Sequence, residues 1–204
     1  MEEGVKSLGG TSSTVLGANL DRLELPSTLS SYGRGSISGT WKDVYYNGTL
    51  EQWARTSGNF TQNSYLPESH SIPKQSTNFY INGKKVGEHL DLSKATGIGS
   101  MAFSFMPQIK SVYFGNAIPT SASPFFSSRN IEKLLVSPTS TSTVKVVDNC
   151  VLNSSGTTLY WGCKNAKIPN TVTSVYEYAF IGQGIDNLII PDTVTTWGGN
   201  GNGG

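Results

Sequence analysis

Two cysteines carry the most reactive side chains in the sequence, and Cys150 and Cys163 are the only ones in its 204 residues. Strand-like sequences predict a β-hairpin over about residues 144–163. If Gly156-Thr157 is its two-residue loop, Cys150 lies opposite Cys163. This pair predicts a cross-strand disulfide in an oxidising compartment, or two small buried free thiols otherwise. Two cysteines are too few for a disulfide scaffold or a zinc site.

Acid–base chemistry would need a group such as Glu88, His89 and Asp91, which are close in sequence. Charged residues beside a strand more often simply face solvent, and we favour that interpretation. No serine lies in a Gly-x-Ser-x-Gly sequence, and Gly97-Ile98-Gly99 lacks the later glycine and helix of a nucleotide-binding fold. No set of histidines, cysteines and carboxylates has metal-binding spacing. We therefore predict no enzyme, no metal site and no cofactor.

The elements that position these side chains are indicated by a recurring eight-residue motif. It reads Ile-Pro-Asn-Thr-Val-Thr-Ser-Val at residues 168–175 and returns 22 positions later at 190–197. A third copy, at residues 25–32, reads Leu-Pro-Ser-Thr-Leu-Ser-Ser-Tyr. A period in the low twenties is typical of a solenoid, in which each repeat buries its apolar face against the next.

The clearest repeats begin near residue 90 and alternate apolar and polar positions, as strands do. Ala102-Phe103 and Ala179-Phe180 suit the opposite side of each coil, where a small residue admits the backbone and a Phe fills the interior. Six apolar residues at these spacings are predicted to point inward: Val112, Phe114, Leu134, Val136, Leu188 and Ile190.

Several segments interrupt the repeats. Residues 50–53 are predicted to form one helical turn, and residues 54–76 a polar insertion or long loop. Residues 79–86 are predicted to form a hairpin. The Gly- and Asn-rich residues 198–204 are predicted to be a tail outside the core. We therefore predict one solenoid domain over residues 1–197.

The composition excludes several classes of function. Only 14% of residues are charged and the net charge is +1, so nothing indicates binding to nucleic acid. Apolar runs such as residues 188–190 are far shorter than a membrane span, so no membrane span is predicted. The first residues, Met-Glu-Glu-Gly, have no signal-peptide pattern.

The modules at residues 98–103, 149–169 and 179–194 resemble the BspA-like class of leucine-rich-repeat proteins, and residues 44–53 and 79–83 resemble segments interspersed in that family. The resemblance covers most of residues 5–197. It implies a mostly β, right-handed solenoid with a parallel sheet on one face, short or helical turns on the opposite side, and inserted hairpins. The cysteine that usually follows the Phe in this family is replaced by Met106 and Ser128.

Members of this family are mostly bacterial or protist cell-surface proteins linked to adhesion and host-protein binding, and some modules of this kind occur in phage proteins. The resemblance therefore implies a cell-surface or extracellular location.

Any binding surface is expected on the outward side chains of the strands. Alternation along each strand predicts that one residue per coil points outward, and these residues form a ladder rich in Tyr, which combines contact area with a hydroxyl. The ladder comprises Glu24, Tyr45, Tyr80, Asp91, Tyr113, Leu135, Lys167 and Ile189. The alternative is that these side chains merely cover the sheet.

Two main functions are consistent with this pattern. The first is a non-enzymatic recognition or adhesion module that binds a protein or glycan through the solenoid surface. The second is a structural subunit or spacer, as in a surface stalk or phage particle, which predicts self-association. A sugar-processing activity would need a carboxylate pair across a groove.

Overall fold

The computed structural model describes residues 4–8, 18–33, 39–59 and 71–198. The chain is a mostly β solenoid of about seven turns with parallel sheets. Its strands in the first half are β1 (Ser7–Leu8), β2 (Leu20–Leu25), β3 (Ser31–Gly33), β4 (Trp41–Tyr46), β5 (Ser57–Asn59), β6 (Ser76–Ile81) and β7 (Lys84–Lys85). The later strands are β8 (His89–Leu92), β9 (Ser111–Phe114), β10 (Lys133–Val136), β11 (Lys145–Val147), β12 (Cys150–Leu152), β13 (Thr158–Gly162), β14 (Ser174–Val175) and β15 (Thr196–Trp197). The short helices are α1 (Leu50–Ala54), α2 (Ile72–Gln75) and a 3-10 turn at Ser123–Phe125.

The strands form four sheets with the orders β1-β3-β5, β2-β4-β6-β7, β8-β9-β10 and β11-β12-β13-β14-β15. In the first half, strands of one sheet alternate along the chain with strands of the other, so each coil contributes to both. Pairing is parallel wherever successive coils stack, and antiparallel only where the chain doubles back on itself at β7, β11 and β12.

The three copies of the recurring motif form the same corner. In each copy the residue three positions after the proline donates its N–H to the proline carbonyl, at 3.0–3.1 Å. The next two residues both donate to one carbonyl of the preceding coil: Lys6 for Ser30 and Ser31, Thr157 for Thr173 and Ser174, and Thr173 for Thr195 and Thr196. The repeat therefore specifies both a proline-ended turn and the stacking of one coil on the next.

The middle sheet follows the predicted 22-residue register. His89 to Leu92 pair with Ser111 to Phe114, and these pair with Lys133 to Val136. Val112, Phe114 and Leu134 are buried and Val136 is half-buried, which confirms that this set points inward.

The inward prediction is wrong in the last coil. Residues 187–190 form no strand, Leu188 is only half-buried, and Ile190 is 51% exposed. The apolar period there matches the middle sheet, but no further coil packs over this end among the described residues, and the side chains remain at the surface.

The insertion is more regular than predicted. Ser57–Asn59 pairs with β3 although its sequence is polar, because its place in the coil and not its composition sets the pairing. Ile72–Gln75 is helical. Residues 60–70 of the predicted loop, and residues 199–204 of the predicted tail, lie outside the described residues.

The predicted helical turn is confirmed as α1, and a capping box explains its start. The Thr49 side chain accepts from the Gln52 N–H at 3.3 Å, while the Gln52 side chain accepts from the Thr49 N–H at 2.8 Å. The hairpin predicted at residues 79–86 is also confirmed: β6 and β7 are antiparallel, and Asn82 and Gly83 both have positive φ, as a two-residue turn of this type requires.

The hairpin predicted near residues 144–163 is instead a three-stranded meander. A tight turn at Asp148-Asn149, both at positive φ, joins β11 to β12, and a second turn joins β12 to β13. The second turn is longer than the predicted Gly156-Thr157 loop, because Asn153 donates its N–H to the Thr158 carbonyl at 3.0 Å. With the register shift between Val151 and Leu152, Cys150 lies opposite Gly162. The predicted pairing of Cys150 with Cys163 is therefore one residue out of register.

The core holds the large aromatic side chains and satisfies their polar atoms. The buried rings of Trp53 and Trp161 each donate their N–H to a backbone carbonyl at 2.8 Å, those of Ala102 and Pro119. The Tyr32 hydroxyl donates to the Met101 carbonyl at 3.2 Å, and burial raises the pKa of Tyr32 far above its usual value. These bonds join coils distant in sequence. The predicted Ala102-Phe103 pair is buried as expected.

Candidate recognition surface

The outward residues of the first three large strands form one aligned row. The register pairs Glu24 of β2 with Tyr45 of β4, Tyr45 with Tyr80 of β6, and Tyr80 with Lys85 of β7. The rings of Tyr45 and Tyr80 stack with centroids 4.4 Å apart and planes 8° apart. The alternation predicted for this part of the ladder therefore brings its two tyrosines into direct contact.

An arginine extends this stack. The Arg22 guanidinium carbon lies 3.9 Å from the centre of the Tyr45 ring, and two of its nitrogens donate to one Glu24 oxygen at 2.9 and 2.7 Å. Because β2 and β6 flank β4 on opposite sides, Arg22 and Tyr80 cover opposite faces of Tyr45. We call Arg22, Tyr45 and Tyr80 the tyrosine column.

A second row holds the column in place. Arg22, Asp43 and Asn78 share one rung. The Asn78 amide donates to the Asp43 carboxylate at 2.7 Å, and Lys85 donates to the Asn78 oxygen at 2.6 Å. Hydrogen bonds and ring contacts thus hold the polar and aromatic side chains of this surface in fixed positions before a partner binds.

The column has a defined charge state near neutral pH. The hydrogen bond to Glu24 is the largest cause of the raised pKa of Arg22, which remains a cation. Desolvation by its neighbours, and then the Asp43 charge, raise the pKa of Tyr80, so its hydroxyl remains protonated. The tyrosine column therefore offers the Arg22 cation and the protonated Tyr80 hydroxyl, which can donate or accept a hydrogen bond.

A second outward row lies on the middle sheet. Asp91, Tyr113 and Leu135 are aligned across β8, β9 and β10. Asp91 accepts from the Ser93 N–H at 2.9 Å. Hydrogen bonding to the Ser93 side chain, and then to its backbone N–H, lowers the pKa of Asp91. Leu135 is 39% exposed. This row belongs to a different sheet from the tyrosine column, and the β6–β7 hairpin lies between them in the chain.

The last two ladder residues are not on strands. Lys167 and Ile189 are exposed, as predicted, but the meander separates Lys167 from the middle sheet. Ile189 is 85% exposed in the irregular part of the last coil. The predicted ladder is therefore two groups of three residues and two separate positions.

An alternating charge ladder runs beside the middle sheet. Lys110 contacts Glu88 at 2.7 Å, and Lys164 contacts Glu132 at 3.8 Å. These side chains are about one third to one half exposed, so water screens each pair and neither contributes much to stability. Glu88 is thus paired with Lys110. His89 makes a separate contact, since its Nδ1 lies 2.8 Å from the Ser111 hydroxyl. Glu88, His89 and Asp91 therefore contact three different residues, namely Lys110, Ser111 and Ser93.

No group of three or more histidines, cysteines or carboxylates is placed to hold a metal ion within the described ranges. Likewise, no helix in the part of the chain that the structure describes is long and apolar enough to cross a membrane.

Cys150 and Cys163 are both buried free thiols. Burial raises the pKa of each thiol to about 12, and the Cys150 thiol also donates to the Lys167 carbonyl at 3.4 Å. The predicted disulfide remains a prediction for the protein in an oxidising compartment.

We expect both thiols to resist an aromatic disulfide reagent at pH 8 while the protein is folded and to react rapidly once it is denatured, since the thiolate is the nucleophile. Because folding holds protons that the unfolded thiols release, stability should fall as the pH rises from about 9 towards 12. Fast reaction of either thiol in the folded protein would contradict this assignment, and absence of both thiols after denaturation without reductant would demonstrate the disulfide.

Sequence reasoning missed Arg22, Asp43 and Asn78. Their signal was present, because Arg22 lies two positions before Glu24 and Asp43 two before Tyr45, and a strand exposes every second residue. It also missed the spacing of Glu88, Lys110 and Glu132, which are successive at the 22-residue period.

The repeats match a family model described as the BspA type leucine rich repeat region, with six copies over residues 82–201. This match spans more than half of the chain, and the protein therefore belongs to that family. No curated protein and no solved structure matches the chain. Solenoids of this family are typical of non-enzymatic scaffolds for protein interaction or adhesion, and members are often surface-associated.

Proposed function

We propose that this protein is a non-enzymatic recognition module that binds a partner protein through the outer face of β2, β4 and β6. The tyrosine column is the observation that carries the proposal. Three long side chains already ordered against one another lose little further conformational freedom on binding, which lowers the free-energy cost of association.

The stacking geometry favours a protein over a glycan. Sugars bind tyrosines through the flat ring face, and here both faces of Tyr45 are covered, by Arg22 and by Tyr80. What Tyr45 leaves for a ligand is its ring edge and hydroxyl beside the Arg22 guanidinium, and Tyr80 adds a hydroxyl and the ring face that points away from Tyr45. Tyr and Arg are the residues most enriched among the energetic anchors of protein interfaces.

We further propose that the protein acts at a cell surface or outside the cell, without binding nucleic acid and without catalysis. The family suggests a cell-surface or extracellular protein used in adhesion, and this chain fits that use. A net charge of +1 supplies no electrostatic footprint for nucleic acid. A catalytic role has no support, since Glu88 and His89 are engaged with Lys110 and Ser111.

The test is a binding screen followed by a matched pair of double variants. The protein is screened against arrays of extracellular proteins and of glycans, and affinities are measured for each hit. Replacing Tyr45 and Tyr80 with Ala should weaken a protein hit at least tenfold, about 1.4 kcal/mol. The control replaces Tyr160 and Tyr176, two half-buried tyrosines in mutual contact with centroids 4.8 Å apart on the β13 side of the chain.

The control double variant should bind within about twofold of the original protein. If both double variants lost affinity equally, or if the Tyr45 and Tyr80 variant lost none, the tyrosine column would not be the binding site. Hits confined to the glycan array would replace the protein partner with a sugar.

A structural subunit is the second candidate, and exposed apolar side chains at the last coil favour it. Ile189, Ile190 and Trp197 are 85%, 51% and 52% exposed. Large apolar side chains grouped at one end of a solenoid suit stacking of one molecule on another. This candidate requires concentration-dependent association of the protein with itself.

A further inference from the structure

The last two coils match in sequence but do not close on each other. Residues 165–168 and 187–190 are equivalent at the 22-residue period, and both correspond to the end of β2 in the first copy of the motif. Downstream the coils are in register, because Ser174 pairs with Thr196 and Val175 with Trp197. Yet within the described ranges no backbone hydrogen bond joins residues 165–168 to residues 187–190.

The opening between them is a groove of about 830 Å³. One wall includes Lys164 and Lys167, and the other includes Asp186 and Ile189. The groove extends over residues 165–168 to Asp148 and Asn149, which also line it. Its size lies within the range of ordinary ligand sites. In the middle sheet, by contrast, the corresponding strands β8, β9 and β10 pair directly along their length.

The wall at residues 165–168 has one edge already paired. The Lys167 N–H donates to the Asp148 carbonyl at 3.0 Å, and the Lys167 carbonyl accepts from the Cys150 thiol at 3.4 Å. Both groups of Lys167 therefore point towards the meander. The Ala166 N–H is already used, since it donates to the Cys163 carbonyl at 2.9 Å. Because successive residues of an extended segment point to opposite edges, the N–H and carbonyl of Ile168 are directed away from the meander, towards the groove. They have no backbone partner among the described residues.

The protein itself shows how such an opening is filled. On the other side of residues 165–168, the Asp148-Asn149 turn enters between them and β10. The Asn149 side chain accepts from the Leu134 N–H at 3.0 Å and donates to the Asn165 carbonyl at 3.3 Å. The inserted turn is therefore hydrogen-bonded both to β10 and to residues 165–168. The groove lies in the equivalent position of the next coil, between residues 165–168 and 187–190.

We propose that this groove binds an extended segment of a partner protein, which inserts as an added strand between residues 165–168 and 187–190. Strand addition to free backbone edges is a general mode of peptide recognition. This site is separate from the tyrosine column and does not depend on it.

The lining specifies the chemistry of the segment. Ala166 and Ile168 are buried on either side of exposed Lys167, so an added strand in register would place two apolar side chains inward around one outward side chain. That outward residue would lie beside Lys167, which has no carboxylate within 4.0 Å in the described part of the chain. An acidic residue there complements its charge. The segment is therefore apolar–acidic–apolar.

The chain supplies a suitable probe, because β8 has this pattern: Leu90 and Leu92 are buried around exposed Asp91. The probe is a synthetic peptide with the sequence of residues 87–93, titrated into the whole protein by calorimetry. We expect saturable one-to-one binding. Lys167→Glu should weaken it at least tenfold, and a peptide with Lys at the Asp91 position should restore binding to that variant. A peptide with Pro at the Leu90 position should not bind, because it lacks the N–H for pairing.

Two control variants separate this site from other effects. Lys84→Glu, an exposed change on the β6–β7 hairpin, should leave peptide binding unchanged, and so should Ala at Tyr45 and Tyr80. Absence of binding at millimolar peptide, equal binding by Lys167→Glu, or equal binding of the proline peptide would overturn the proposal. A dimer of the protein that the peptide dissociates would assign the groove to a second copy of this chain, and would also overturn it.

Discussion

Replacement of Trp161 by Ala should lower the free energy of unfolding by about 3–5 kcal/mol. The indole is fully buried and stacks against Phe125 with centroids 5.6 Å apart. Phe125 in turn contacts Phe103 and Phe114, so the loss opens a cavity at the centre of the aromatic core. The same change leaves the Pro119 carbonyl, which accepts from the indole N–H at 2.8 Å, without its partner.

Denaturant unfolding of three variants tests this account. Trp161→Phe retains much of the ring but not the N–H donor, and should lie between the original protein and Trp161→Ala. Trp197→Ala removes the same side chain from a site that is 52% exposed, and should cost clearly less. Equal losses at Trp161 and Trp197 would contradict the assignment of a core centred on Phe125.

Replacement of Gly115 by Ala should destabilise the protein by about 1–3 kcal/mol. Gly115 follows β9, and a Cβ built on it would overlap the Ser93 carbonyl oxygen of the preceding coil. That oxygen belongs to backbone and cannot rotate away. The two coils would have to separate locally, which would weaken the adjacent pairing of β8 with β9.

Gly87 is the matched control, since a Cβ there meets no atom within 4 Å. Gly87→Ala should leave the unfolding midpoint unchanged or raise it slightly, because alanine restricts the unfolded chain. If Gly115→Ala were as stable as Gly87→Ala, the close stacking of coils at residues 93 and 115 would be wrong.

Much of the architecture could be predicted because it follows from a repeat. The motif at residues 25–32, 168–175 and 190–197 forms one type of corner, and its prolines accept equivalent bonds. The rung of Glu24, Tyr45 and Tyr80 could also be predicted, because strand alternation sets which side chains share a face. The alternation at Asp91, Tyr113 and Leu135 follows the same rule.

The remainder depends on contacts that no period encodes. The turn between β12 and β13 pairs Leu152 with Leu159 and so departs from the predicted loop, and the bulge between Val151 and Leu152 then moves the partner of Cys150 from Trp161 to Gly162. The position of Arg22 over Tyr45 depends on rotamers. The groove beside Lys167 arises where two coils of matching sequence stay apart, which the repeat pattern does not indicate.

The central claim is that the solenoid recognises another molecule and is not itself a building block. Light-scattering mass measured across a concentration series, with a non-reducing gel alongside, tests this most directly. Recognition of another molecule predicts a constant mass of 21.9 kDa up to the highest concentration. A mass that rises with concentration to that of a defined oligomer would contradict the claim and favour the assembly subunit. In that case, replacing Ile189 and Trp197 by polar residues should return the mass to that of the monomer.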